Sequence, residues 1–140
     1  MRLSPWRRYT FYIVTTVLVA TGLLWMVADQ LKGSNEGETW QAVSAAALMI
    51  HGGAAMIVLV QVGGLFEIHM LRGWRRGHNR LTGLVMAALT CSLVVSAFGL
   101  YYSGVDIARA WISGTHITAG IAMPLMLLLH IWRGRKSHSS

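Results

Sequence analysis

Long apolar runs separated by short polar segments dominate this 140-residue chain. The four runs cover about residues 9–28, 42–71, 81–102 and 107–132. Each run is close to or above the ~20 residues that a helix needs to cross a bilayer. The segments between them are too short to form a separate soluble domain. The pattern therefore predicts an all-α integral membrane protein, with residues 1–140 forming one transmembrane domain, an up-down-up-down four-helix bundle.

Composition agrees with a membrane protein. Hydrophobic residues make up 54% of the chain and charged residues only 12%, whereas about a quarter of a soluble domain is charged. The first run follows basic residues, as in a signal peptide, but it is longer than a signal peptide's apolar core, so we expect a retained helix. The single cysteine, Cys91, excludes an intrachain disulfide, and the absence of a C-x-x-C-H motif excludes covalent c-type haem attachment.

The net charge of +7 is distributed asymmetrically. Two basic residues, Lys32 and Arg109, lie on one side of an up-down bundle, and the other ten lie on the opposite side. This positive-inside pattern places both termini in the cytoplasm. The basic residues would thus orient the protein in the membrane and contact anionic lipid. This explanation of the net charge argues against nucleic acid as a partner. The ten residues are Arg2, Arg7, Arg8, Arg72, Arg75, Arg76, Arg80, Arg133, Arg135 and Lys136.

Four of the six histidines lie inside apolar runs, where an ionisable side chain is costly and by default marks a functional site. His51 and His69 are 18 residues apart on the second run, so at ~100° per residue they share one helix face. His116 and His130, 14 apart on the fourth run, differ by only ~40°. The second and fourth helices run in the same direction, and His69 and His130 each precede an arginine by three residues, so we expect these two at one depth. The outer pair, His51 and His116, differs in depth by about one helical turn.

The inner pair and the outer pair would each place two imidazole rings opposite one another. Such pairs predict metal centres in the bundle core. Haem iron takes two axial ligands and binds neutral imidazole. Zinc or copper usually recruits further ligands, which these runs lack. We therefore expect haem b, two per chain if both histidine pairs bind and one if a single pair does. The alternative is that these histidines are hydrogen-bond partners between helices. His78 and His138, in a basic loop and a polar tail, are expected to face solvent.

One acidic residue, Glu67, lies near the cytoplasmic side, two residues before His69. With Arg72 it is a candidate proton carrier or quinone site; the alternative is an ion pair with a neighbouring arginine. Asp106 is a weaker candidate for the same role, and we expect it to be a helix N-cap. The candidate partners for haem propionates are Arg72, Arg75, Arg76 and Arg80 on the inner side and Arg109 on the outer side.

Several segments carry a recognisable pattern: His51-Gly52-Gly53-Ala54-Ala55-Met56, His69-Met70-Leu71-Arg72-Gly73-Trp74, Asn79-Arg80-Leu81-Thr82-Gly83, Gly99-Leu100-Tyr101-Tyr102, His116 with Gly120, and His130-Ile131-Trp132-Arg133. Together they resemble the small four-helix membrane b-type cytochromes of bacteria and the N-terminal four-helix half of respiratory cytochrome b. The resemblance implies two b haems stacked between the second and fourth helices of a multi-pass protein of the bacterial inner membrane. It implies that His51 and His116 hold the outer haem and that His69 and His130 hold the inner one. The 18-residue spacing on the second run departs from the family, whose spacings are close to 14.

Transmembrane electron transfer between quinone or quinol and a redox partner protein is the function that this reading favours. One alternative is a self-contained quinone-linked oxidoreductase acting on superoxide or ferric iron, although no catalytic acid–base pair stands out. Another is a non-redox structural membrane subunit. Small residues on the third run are compatible with a homodimer or a place in a larger complex. Glycines 22, 83, 99 and 120 are candidates for close approach by a haem edge or a neighbouring helix.

Overall fold

The computed structural model describes residues 4–65, 70–71, 74 and 80–136, and four long α-helices lie within these residues. All four are long and apolar enough to cross a membrane. The prediction of an all-α, multi-pass membrane protein is therefore confirmed at this level. The helices are α1 (Pro5–Leu31), α2 (Gly37–Leu65), α3 (Arg80–Tyr102) and α4 (Asp106–Lys136).

Several predicted site residues lie outside the described residues. The second apolar run was expected to continue to residue 71, whereas α2 ends at Leu65 and residues 66–69 are not described. The candidate ligand His69 and the candidate quinone-site residues Glu67 and Arg72 are therefore among the residues that the structure does not describe. The same is true of His78, His138, Arg75 and Arg76.

Helix ends follow local rules that the sequence makes visible. Pro5 is at the start of α1, where its fixed φ and missing N–H cost nothing. Asp106 is the first residue of α4 and not the residue before it, so the N-cap role expected for it is not what the structure shows. Its carboxylate lies in the first turn, where negative charge interacts favourably with the helix dipole. At the end of α3, Arg109 donates to the carbonyls of Leu100 and Ser103, at 3.1 and 3.5 Å.

The chain divides into two compact units, residues 1–66 and 67–140. The first contains α1 and α2, which pack against each other, and the second contains α3 and α4, which do the same. In the second unit Thr82 contacts His130 and Ser96 contacts His116. A residue late in α3 thus contacts a residue early in α4, and the reverse, so the two helices form an antiparallel hairpin.

Small side chains fill the interior of each hairpin. Among the described residues no large side chain is fully buried. Small residues let two helix backbones approach closely, as is typical of membrane helices. Large apolar side chains lie outside instead; Met49 is 79% exposed and Val60 77%. A surface of this kind is suited to contact with lipid. The buried residues are Thr21, Ala28, Ser44, Ala47, Ala54, Thr82, Ser96 and Ala119.

Two glycines permit close contacts within the hairpins. A Cβ atom at Gly22 would lie 3.2 Å from Cε1 of His51, and one at Gly99 would lie 3.2 Å from Cδ1 of Ile112. Both distances are shorter than ordinary van der Waals contact. Gly22 therefore makes room for the imidazole ring of a candidate ligand, and Gly99 makes room for an α4 side chain.

Candidate metal centre

His51 lies on α2 with its ring against α1. Its Nδ1 is 2.9 Å from the carbonyl oxygen of Leu18 and 3.4 Å from Oγ1 of Thr21. A carbonyl oxygen only accepts hydrogen bonds, so Nδ1 carries the hydrogen and donates it. In the neutral ring the lone pair is then on Nε2. The contact with α1 thus fixes the tautomer of this candidate ligand.

The position against His51 is formed by Leu18, Thr21 and Gly22, which lie within little more than one turn of α1. Thr21 is buried, and its hydroxyl donates to the carbonyl of Val17 at 2.7 Å, which leaves the oxygen able to accept from the ring. Gly22 removes the side chain that would collide with the imidazole. Helix α1 carries no histidine, yet it orients the one on α2.

His116 on α4 is held in the same way by Ser96 on α3. Its Nδ1 is 2.9 Å from Oγ of Ser96, and that oxygen is only 2.6 Å from the carbonyl oxygen of Ser92. Two oxygens this close have a hydrogen between them, so Ser96 donates to Ser92. Ser96 must then accept from Nδ1–H of His116. The lone pair of His116 is again on Nε2.

His130 also lies against a hydroxyl group of α3, further along the same hairpin. Its Nδ1 is 2.9 Å from Oγ1 of Thr82. Thr82 and Ser96 are 14 residues apart on α3, and His116 and His130 are 14 apart on α4. Because the helices are antiparallel, this equal spacing brings both hydroxyls opposite both histidines, ~21 Å apart along the hairpin.

These contacts match the way in which proteins hold the second ring nitrogen of a metal-binding histidine. A histidine that binds a metal almost always has its second ring nitrogen held by an oxygen, which fixes ring orientation and strengthens the ligand. His51 and His116 have Nδ1–H held and the lone pair on Nε2, and His130 has Nδ1 beside a hydroxyl. Within the part of the chain that the structure describes, no three His, Cys, Asp or Glu side chains gather into a metal-binding group. Haem needs only two axial ligands from the protein.

Sequence reasoning did not identify the three hydroxyl residues as part of the site. Thr21, Thr82 and Ser96 are three of the four buried polar residues in the described part of the chain, and each contacts a candidate ligand. The available signal was the matching 14-residue spacing on α3 and α4, which becomes informative only once the two helices are placed antiparallel.

Two arginines expected near haem propionates have partners within the chain. Arg80 donates through Nε to the carbonyl of Trp74 at 2.9 Å, and its guanidinium carbon lies 5.5 Å from the centre of the Trp74 ring. This is a cation–π geometry. Arg109 donates to carbonyls at the end of α3. Each of these arginines thus stabilises a local structure, whatever else it binds.

Thr21→Val tests whether α1 holds His51. Valine keeps the shape of threonine but cannot accept from Nδ1–H, so the protein should lose about 0.5–1 kcal/mol of unfolding free energy. The measurement is reversible unfolding in detergent. Thr118→Val is the matched control, because the Thr118 hydroxyl is exposed and bonds to Gly114 of its own helix. Equal effects of the two substitutions would contradict a specific role for Thr21.

Comparison of the chain with protein-family models, with curated proteins and with solved structures finds no match.

Proposed function

We propose that this protein is a membrane b-type cytochrome that moves electrons across the bilayer. The observation that carries the proposal is the state of the histidines inside apolar helices. His51 and His116 each have Nδ1–H bonded to an oxygen on the neighbouring helix, which puts the lone pair on Nε2. An imidazole held in this way is prepared to bind iron.

The ligand assignment follows from the histidine pattern. His51 and His116 would hold one haem b, and His69 and His130 would hold a second. Haem, when bound, supplies one-electron redox chemistry. The chain's own residues orient the imidazole rings through Thr21, Ser96 and Thr82 and exclude water with apolar side chains. The described contacts support the orientation of three of the four ligands.

The proposed arrangement in the membrane is an up-down-up-down bundle with both termini in the cytoplasm of a bacterium. Its support is the four apolar helices and the concentration of basic residues on one side. The exposed apolar side chains contact lipid. Quinone or quinol is the proposed partner at one surface, with Glu67 and Arg72 as its candidate site, and a redox protein is the partner at the other. A homodimer or a larger complex is compatible with this arrangement.

The test is electron transfer across a sealed vesicle membrane. Purified protein is placed in liposomes that contain ferricyanide, and dithionite, which does not cross the membrane, is added outside. We expect ferricyanide reduction well above that of protein-free liposomes, and much slower reduction with His116→Ala. His138→Ala, a substitution in the polar tail, is the control and should behave like the unmodified protein.

Two outcomes would point away from an electron relay. A rate equal to that of protein-free liposomes, with a colourless protein, would leave the non-redox structural role. Oxidation of a quinol that proceeds only when superoxide or ferric iron is added would favour the self-contained oxidoreductase.

A further inference from the structure

We infer that Ser96 and Thr82 are positioning residues that lower the reduction potentials of the haems bound by His116 and His130. This inference rests on the proposed function, because it concerns the second ring nitrogen of the proposed ligands. It assigns a role to α3, which contributes no ligand. The geometry within the α3–α4 hairpin carries the inference.

The Ser96 hydroxyl accepts a hydrogen bond from the ring of His116. The Ser96 hydroxyl donates to Ser92 at 2.6 Å and therefore accepts from Nδ1–H of His116 at 2.9 Å. A ring that donates from Nδ1 gains electron density on Nε2 and becomes a more basic ligand. A more basic ligand stabilises the oxidised, ferric state and lowers the reduction potential. Loss of the hydroxyl should therefore raise the potential.

Both hydroxyl residues are buried. Ser96 is 6% exposed and Thr82 is 3% exposed. Water has little access to these oxygens, so it cannot easily replace a deleted hydroxyl as the acceptor. Electrostatic effects are also larger in such an environment of low dielectric constant. A single oxygen atom at either position is thus able to influence the ring that it contacts.

A contact between a hydroxyl group of α3 and a histidine of α4 occurs twice in the hairpin. Other hydroxyls on these helices bond to their own helix, as Thr90 does with the carbonyl of Met86 at 2.8 Å. A hydroxyl group on these helices can therefore be satisfied by its own backbone, without a histidine on the neighbouring helix. Ser96 and Thr82 lie 14 residues apart, in register with His116 and His130. The hairpin places one hydroxyl at each proposed ligand of α4.

The experiment measures haem content and midpoint potentials in Ser96→Ala and Thr82→Val. We expect haem content to be kept, the potential of one haem to rise in Ser96→Ala, and that of the other haem to rise in Thr82→Val. Ser96→Thr restores a hydroxyl and should return the potential toward its original value. Thr90→Val is the control and should leave both potentials unchanged. If Ser96→Ala does not accumulate, Ser96→Cys, a weaker acceptor, should give a smaller rise.

A second readout separates failure of this inference from failure of the proposed function. Nitrogen NMR of protein labelled at histidine reports the Nδ1–H tautomer without haem, and we expect the His116 signal to change in Ser96→Ala and not in Thr90→Val. Haem-containing protein with unchanged potentials in both Ser96→Ala and Thr82→Val would overturn the inference alone. Haem-free protein with an unchanged His116 signal would overturn both proposals.

Discussion

Replacement of His116 by alanine should halve the haem content of the purified protein, from about two per chain to about one. The reason is that the haem iron would lose one of the two imidazoles that we propose to hold it, and Ser96 would be left without the ring that it contacts. The measurement is a pyridine haemochrome assay against protein concentration. His116→Met keeps a ligand that iron accepts and should retain the haem at a higher potential.

The pairing of ligands is tested in the same assay. His51→Ala should remove the same haem as His116→Ala, so the double variant should contain no less haem than either single variant. His130→Ala should remove the other haem. His138→Ala is the control and should keep full haem content. Unchanged haem content in His116→Ala would contradict its role as a ligand, and additive losses from His51→Ala and His116→Ala would contradict the pairing.

Gly22→Val should remove the same haem as His51→Ala, although residue 22 is not itself a ligand. A Cβ atom at this position would already lie 3.2 Å from Cε1 and 3.4 Å from Nδ1 of His51. The larger valine side chain would push the ring away from the Leu18 carbonyl and out of its orientation. Overpacking of this kind also costs about 1–3 kcal/mol of unfolding free energy. The measurements are haem content and unfolding in detergent.

Gly63→Val is the matched control for this substitution. Gly63 also lies within a helix, but apart from its chain neighbours and the nearby backbone of its own helix, no heavy atom of the described residues is within 4 Å of the place where its Cβ would be. Both substitutions add the same β-branched side chain to a glycine position, so differences in helix propensity largely cancel. Full haem content in Gly22→Val, or an equal loss in both variants, would show that α1 does not orient His51.

The helices were predictable because their signal is strong and local. Runs near or above 20 apolar residues have few alternatives to a membrane helix, and the described residues form four such helices. The candidate ligands were also visible, since histidines are rare in apolar runs. The choice of these histidines as candidates needed only local chemistry, and their binding of haem stays a prediction. The predicted continuation of the second run to residue 71 crosses residues 66–69, which lie outside the described residues, so it stays a prediction.

The partners of the histidines were not predictable from local patterns. Serine and threonine in apolar helices commonly bond to their own backbone, as Thr90 does, and nothing in the neighbouring sequence distinguishes Thr90 from Ser96. Only the register between two helices decides which hydroxyl meets a ring. Arg109 is a second example. We expected it near a haem propionate, and local patterns did not indicate that it donates to carbonyls at the end of α3.

We propose that the intramembrane histidines hold haem, and the decisive experiment is a reduced-minus-oxidised visible spectrum of the purified protein. Expression with ample haem supply, followed by a pyridine haemochrome count, gives the haem content per chain. We expect the sharp absorption bands of six-coordinate haem b and about two haems per chain. A colourless protein under these conditions would rule out haem binding and would leave the histidines as hydrogen-bond partners between helices.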